Sequence, residues 1–208
     1  MRRCVIIGGA EIGGYGRIRT YLREDDFIIC CDSGLRHRTG LEVTPDLIVG
    51  DFDSHEDPLL DVETITLPRE KDDTDTVFAV KEALGRGFDT FLLLGVIGGR
   101  LDHTLGNLSV LLLLDGLNKR AIAVDDYSEM EIVSRSPAYI DSRYAFFSLL
   151  NISGAARGIG VKNAKYPLTD AEITCEYQYG ISNEVLPGQT AEVSVGEGRL
   201  LLIKVLPE

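Results

Sequence analysis

Residues 47–54 read Leu-Ile-Val-Gly-Asp-Phe-Asp-Ser. The run is apolar at every position until Gly50 and then turns acidic. Strands that are apolar throughout are buried on both faces, which is the habit of parallel sheets covered by helices. The same design recurs through the first 125 residues. Apolar runs at 4–7, 27–31, 91–94 and 121–124 end at Gly8-Gly9, Asp32, Gly95 and Asp125-Asp126. Between them, 75–84 and 103–114 carry helical spacing. The pattern predicts an α/β fold with a mostly parallel sheet and flanking helices. Ligands of such sheets gather beyond the carboxyl ends of the strands, which is where these Gly and Asp residues fall.

From about Ser134 the texture changes. Short alternating or aromatic stretches at 138–150, 172–177, 190–195 and 200–206 are separated by turn signals at Ser153-Gly154, Pro187-Gly188 and 196–198. They predict a small antiparallel β domain. The expected division is therefore a domain over 1–133 and a second over 134–208, with no repeat and no low-complexity linker.

Composition narrows the function. Against 21 Lys and Arg stand 33 Asp and Glu, a net charge of −12. Residues 1–133 hold 14 basic and 25 acidic side chains (14 − 25 = −11), and the rest hold 7 and 8 (7 − 8 = −1). A nucleic-acid binder needs a basic stripe to neutralise phosphates, so no nucleic acid is expected as partner. The apolar runs at 91–94 and 110–114 fall far short of the roughly 20 residues that span a bilayer. No membrane association is expected. Arg2-Arg3 precede too short an apolar run for a secretion signal, and the chain reads as cytoplasmic. Cys4, Cys30, Cys31 and Cys175 lack zinc spacing and a CxxC pair, so the expectation is core thiols and no structural disulfide.

The acids cluster by motif. Residues i and i+2 of an extended chain point the same way, so Asp51 and Asp53 are expected to present two carboxylates to one point. That outlines a site for a hard cation such as magnesium, which takes oxygen ligands and is commonly held by one or two carboxylates plus substrate phosphates. A structural reading is also open, with Asp51 ending the strand and Asp53 or Ser54 capping a turn. Residues 70–75, Glu-Lys-Asp-Asp-Thr-Asp, lie at a helix start where Thr74 or Asp73 can cap. Capping needs only one of them, and neighbouring carboxylates repel by roughly 1 to 4 kcal/mol at ordinary effective dielectrics. A cation explains the excess more simply. In 98–103, Gly-Gly-Arg-Leu-Asp-His, the glycines let backbone amides approach an anion and Arg100 can fork onto phosphate oxygens. A glycine turn with Asp102 as N-cap and His103 on the surface is the structural alternative there.

Taken together, Cys-Asp-Ser-Gly at 31–34, Gly-Asp-Phe-Asp-Ser at 50–54, Lys-Asp-Asp-Thr-Asp at 71–75 and Gly-Gly-Arg-Leu-Asp-His at 98–103 resemble the thiamin pyrophosphokinase family. In the β region Lys165-Tyr166-Pro167-Leu168 and Gly180-Ile181-Ser182-Asn183-Glu184 resemble that family's thiamin-binding half, and the motifs run in the family's order over nearly the whole chain. The resemblance implies an enzyme that transfers a diphosphoryl group from ATP to the hydroxyl of thiamin, giving thiamin diphosphate and AMP. It also implies an α/β domain joined to a β-sandwich, and a homodimer with thiamin at the subunit interface. By motif, Asp32, Asp51, Asp53 and Asp75 would hold Mg²⁺. The Gly8-Gly9 amides, Lys71 and Arg100 would contact the triphosphate, with Asp32, Asp72, Thr74 and His103 also on the ATP side. Asp51, Asp53, Asp75, Arg100 and Asp102 would serve catalysis, and Asp102, Ser182 and Asn183 would face thiamin. The chain has no Trp; Tyr177 or Tyr179 would then cover the thiamin pyrimidine, unless both are ordinary strand aromatics.

Two other functions fit parts of the sequence. A haloacid-dehalogenase-type phosphatase uses the first Asp of a strand-end DxD as nucleophile, but its motif ends the first strand of the domain and would leave 98–103 without a role. A non-catalytic nucleotide or thiamin sensor is the other.

Overall fold

The computed structural model describes residues 2–52, 60–68, 70 and 72–207, and the chain divides into two compact units, Met1–Asp126 and Tyr127–Glu208. The strands of the first unit are β1 (Arg3–Ile7), β2 (Phe27–Cys31), β3 (Leu47–Gly50), β4 (Glu63–Thr66), β5 (Thr90–Leu94) and β6 (Arg120–Val124). All pair in parallel, in the order β6-β5-β1-β2-β3-β4. β1, β3 and the last four residues of β2 and β5 are wholly buried, as their unbroken apolar runs require. β4 is the strand the apolar pattern does not announce, because Glu-Thr-Ile-Thr at the sheet edge is largely exposed.

Alternate residues of these strands serve opposite faces. Val5, Ile7, Ile28, Cys30, Leu92, Leu94 and Val124 share a core with Ile18 of the short helix α1 (Tyr15–Arg19) and Leu41 of α2 (Arg38–Leu41). A 3₁₀ helix, Asp32–His37, leads from β2 into α2. Two longer helices, α3 (Asp75–Gly85) and α4 (Leu101–Gly116), bury Ala79, Val80, Ala83, Val110, Leu111 and Leu114. Burial pushes the thiols of Cys4 and Cys30 up to about 12. They are core residues, and all four cysteines are free.

The second unit carries β7 (Ser128–Val133), β8 (Ala138–Ile140), β9 (Phe146–Leu150), β10 (Ala155–Lys162), β11 (Leu168–Thr174), β12 (Gly180–Asn183), β13 (Ala191–Ser194) and β14 (Leu200–Val205). Two antiparallel ladders, β12-β9-β14-β7 and β11-β10-β13-β8, share one core of Phe147, Leu149, Ile159, Val161, Ile173, Val193, Leu200 and Leu202, which makes a β-sandwich. The whole of β7 is laddered to β14, Val133 against Leu200 through Ser128 against Val205. That pairing carries residues 128–133 into the second unit, whereas the sequence pattern sets the division after 133.

One register position explains a buried charge. Lys204 lies directly opposite Glu129, and its ammonium pairs with Glu129 and Glu131, each at 2.9 Å. Tyr144 donates to the other oxygen of Glu129 at 2.5 Å. Burial pulls the Lys204 pKa down, but Glu131 and Glu129 outweigh it and hold the ammonium above its usual range.

The first unit is ordered by glycine at one crossing. The chain adds β2, β3 and β4 on one side of β1 and then returns to place β5 and β6 on the other, so β1 and β5 flank the point where the strand order reverses. There the Gly8 amide donates to Leu94 O (2.8 Å) and the Ala10 amide to Gly95 O (2.7 Å). A Cβ on Gly95, whose φ is +60°, would lie 2.5 Å from Gly8 O, and one on Gly8 would lie 2.7 Å from Gly95 O.

Gly95→Ala is therefore expected to destabilise the protein by about 2 to 4 kcal/mol in urea unfolding, from a strained φ plus a backbone clash. Gly16→Ala, in open space on α1, should be neutral or gain about 0.5 to 1 kcal/mol; equal effects would contradict this account. In the second unit, Lys204→Met should cost about 3 to 5 kcal/mol at neutral pH by leaving buried carboxylates uncompensated. A raised lysine pKa stabilises below its unfolded value of 10.5 and ceases to as pH rises through the folded one. The gap between wild type and variant should thus narrow as pH rises through the raised lysine pKa, and a gap that stays unchanged at strongly alkaline pH would contradict the pairing.

Candidate functional site

The carboxyl ends of β1, β2, β3 and β5 and the start of α3 bring the predicted residues of the first unit to one edge. Asp32 opens the 3₁₀ helix directly after β2 and is buried. Gly50, the last residue of β3, has room for hydrogen only, since a Cβ there would lie 2.8 Å from Asp32 Cβ. Asp51 follows, half-buried. The next residue departs from the extended geometry that the i, i+2 argument assumes: Phe52 takes φ +54°, in the left-handed region, so the chain turns sharply as it leaves β3. Strain of this kind at a strand end clusters at functional sites. Asp53 and Lys71 lie outside the described residues.

Asp75 is the first residue of α3, and Thr74 caps that helix, its hydroxyl accepting from the Val77 amide at 3.3 Å. The charge of Asp75 is felt at the end of β2. The Cys31 thiol is pushed far up, first by burial and then by Asp75, while Thr76 opposes with a hydrogen bond. Asp32, Asp51 and Asp75 therefore share the β2–β3 end of the edge. Asp73 is drawn away, ion-paired with Lys81 at 2.5 Å, and Asp72 is exposed.

Beyond β5, Gly98 and Gly99 take φ +108° and +66° with open space where a Cβ would be. They are glycines for their backbone angles. The loop is tied to α4 by two residues that the sequence motifs passed over. Thr104 accepts the Gly98 amide at 3.0 Å, and the Asn107 carboxamide donates to Val96 O at 2.7 Å. A polar residue one helical turn into α4 was the available signal. Arg100 is gripped by Asp102, Nη2 to Oδ2 at 2.6 Å and Nε to Oδ1 at 3.2 Å. Asp102 Oδ1 also accepts the His103 amide at 2.9 Å. These contacts, Arg100 foremost, hold the Asp102 carboxyl at about 2. Asp102 is thus an anion in the first turn of the helix, while the cap position is the Arg100 backbone; His103 is exposed.

At β1 the Gly8 amide is spent on Leu94 O. Gly9 packs on Ser33, whose Oγ would lie 1.8 Å from a Cβ there. The predicted thiamin residues belong to the second unit. Ser182 is exposed, with φ +58°. Asn183 is buried and its carboxamide is engaged: Oδ1 accepts the amides of Tyr166 (3.0 Å) and Glu184 (2.9 Å), and Nδ2 donates to Tyr166 O (2.8 Å). With the Lys165–Glu184 ion pair at 2.6 Å, Asn183 joins the 165–168 and 180–184 motifs into one surface on which Tyr166, Ile181 and Ser182 are exposed. Tyr177 and Tyr179 are exposed too, their rings tilted at 5.3 Å.

Among the described residues no three His, Cys, Asp or Glu side chains converge as a metal cage. The donor set at the β2–β3 end fits magnesium all the same, because that ion needs only one or two carboxylates where phosphates and water complete its shell.

Known proteins bear on this edge. Residues 18–123 match the family model "Thiamin pyrophosphokinase, catalytic domain", and 132–200 match "Thiamin pyrophosphokinase, vitamin B1 binding domain". The chain is 26% identical to thiamine pyrophosphokinase of Bacillus subtilis (strain 168), with 98% of this chain and 99% of that protein covered. Among solved structures, a thiamin pyrophosphokinase from Geobacillus thermodenitrificans superposes with a TM-score of 0.84 at 26% identity, over 100% of this chain and 99% of that one. The Candida albicans enzyme, at 15% identity and a TM-score of 0.78 over 99% and 89%, shares the fold.

Removing Arg100 should release Asp102. In Arg100→Ala the Asp102 pKa is expected to climb from about 2 toward the ordinary carboxylate range, read by carboxyl NMR titration, and a value still near 2 would show that Arg100 is not the cause.

Proposed function

The chain belongs to the thiamin pyrophosphokinase family, and on that premise we propose that it transfers a diphosphoryl group from ATP to the hydroxyl of thiamin, releasing AMP. The observation that carries the reading is the shared edge of Asp32, Asp51 and Asp75 beside the strand-order reversal, in a chain matched by both domain models of the family. Such transfer asks a protein for positioning and charge neutralisation more than for covalent chemistry.

In this reading Asp32, Asp51, Asp53 and Asp75 hold Mg²⁺, which when bound neutralises phosphate charge and orients the triphosphate. The turn after β1, through Gly9 because the Gly8 amide is taken by Leu94 O, receives the phosphates together with Lys71 and Arg100. Asp72, Thr74 and His103 stand on the same side, though Thr74 also caps α3. Arg100 exchanges Asp102 for phosphate oxygens as ATP enters. The thiamin hydroxyl oxygen attacks the β-phosphorus and the bond to the α-phosphate oxygen breaks, leaving AMP. Asp102 is a poor proton acceptor while its carboxyl is held at about 2; freed from Arg100, it becomes a stronger base and an unpaired anion suited to a thiazolium cation. On the thiamin side, Ser182 offers the exposed hydroxyl and Asn183 fixes the surface around it.

The reading includes a homodimer with thiamin at the subunit interface. Leu101, Leu105, Leu113 and Leu117 of α4 and its end are exposed, more apolar surface than a lone helix face needs. It also places the protein in the cytoplasm, where free thiols persist; no helix among the described residues is long and apolar enough to cross a membrane. A phosphatase reading of Asp51 and Asp53 has no support, because the motif follows the third strand and the family is another.

Incubation with ATP, Mg²⁺ and thiamin is expected to release AMP and thiamin diphosphate. Release of ADP or orthophosphate would contradict diphosphoryl transfer, and tight ligand binding without turnover would indicate a sensor. Asp51→Asn should lower kcat by about a hundredfold or more with an unchanged circular dichroism spectrum, because a half-buried strand-end carboxylate contributes little to the core. Full activity would remove Asp51 from the site.

A further inference from the structure

His37 closes the 3₁₀ helix that Asp32 opens, and it is buried, with 2% of its surface exposed. Both ring nitrogens are engaged. Nε2 lies 2.9 Å from Ala10 O, and Nδ1 lies 2.8 Å from the Tyr15 hydroxyl. A carbonyl only accepts, so the short Ala10 contact puts the proton on Nε2 and Nδ1 accepts from Tyr15, in preference to the longer approach of Arg36 Nε to Nε2 at 3.4 Å. Ala10 is fixed from its other side as well, because its amide donates to Gly95 O at the end of β5. Arg36 donates to Gly9 O, while Asp126 Oδ2 and Oδ1 accept the Gly13 and Gly14 amides at 2.6 and 2.8 Å.

Tyr15 in turn has a built seat. Its ring lies over Gly40 inside α2, where a Cβ would come within 2.5 Å of Tyr15 Cζ and 2.6 Å of Cε1. Glycine inside a helix is unfavourable, and here it makes room for one ring. A continuous path thus runs Gly40, Tyr15, His37, Ala10, from α2 to the turn after β1.

We infer that His37, held in one tautomer by Tyr15, is a positioning residue for the Gly8–Ala10 turn, setting the backbone that receives the triphosphate. This rests on the proposed function in assigning that turn to ATP. Neutrality of the ring agrees with the geometry: burial, the largest influence, lowers the His37 pKa and Arg36 adds to it, against the Ala10 carbonyl, Glu11 and Asp126. Tyr15 and Arg36 both touch the ring, at Nδ1 and Nε2.

Three variants test it. Tyr15→Phe should raise the Kd and KM for ATP with Mg²⁺ about three- to tenfold, the range of one lost hydrogen bond, with kcat and the thiamin KM little changed. His37→Leu should do more, and His37→Gln, whose amide N–H can reach Ala10 O, should recover most of the loss. Hydrogen exchange of the amides of 9–14 should quicken in Tyr15→Phe and His37→Leu, while amides of β10 stay as in wild type. Unchanged exchange at 9–14 together with unchanged ATP binding would overturn the inference. So would variants that lose thermal stability with the ATP constants intact, which is a purely structural role. If wild-type protein binds ATP but makes no AMP, the proposed function fails instead, and the Kd and exchange readouts still judge His37.

Discussion

The ends of β1 and β5 approach so closely that neither Gly8 nor Gly95 can carry a side chain, since either Cβ would fall within 2.7 Å of the other residue's carbonyl oxygen. Everything at the edge is placed from this crossing. The Gly8 amide completes the ladder with Leu94 and the Ala10 amide caps Gly95, so the chain leaves β1 in a single direction. Gly34 extends the constraint: a Cβ there would lie 2.1 Å from Ile7 O, which brings the Asp32 helix hard against the end of β1. Close approach of backbones at a strand-order reversal is how open α/β sheets make room for a ligand.

The acidity of the first 133 residues is distributed, not pooled. Several carboxylates have structural partners: Asp26 takes Arg3 in a buried pair, Asp73 takes Lys81, Asp102 takes Arg100, and Asp126 takes two backbone amides. Asp32 and Asp51 directly follow β2 and β3, and Asp75 opens α3 with its charge felt at Cys31 at the end of β2. Concentrating like charge there costs energy that a bound cation offsets. The same field favours a cationic second substrate.

The buried strands were legible because β1, β2, β3 and β5 carry the unbroken apolar runs 4–7, 27–31, 47–49 and 91–94, a pattern set by burial on both faces, and β6 carries one at 121–124 although only Ala123 and Val124 of it are buried. β4 was not, because an edge strand with Glu63 and Thr64 exposed looks like loop. The alternating stretch 138–150 holds two strands, β8 and β9, parted by a turn at 141–143 that the pattern does not mark, where the Arg143 amide bonds the Asp141 carboxylate. β10 was hidden by Gly158 and Gly160. At the site, residue types and strand-end positions were readable for Asp32, Asp51 and Asp75. Partnerships across distant sequence were not: nothing local in Asn183 announces Tyr166, nor does His37 announce Tyr15 and Ala10, and Phe52 gives no local sign of a left-handed backbone.

The central claim is that this edge moves the β- and γ-phosphates of ATP together. The direct measurement uses ATP labelled with ³²P at the β-phosphorus, with thiamin and Mg²⁺, and asks where the label goes. The account predicts label in thiamin diphosphate and none in AMP. Label accumulating in ADP would contradict it.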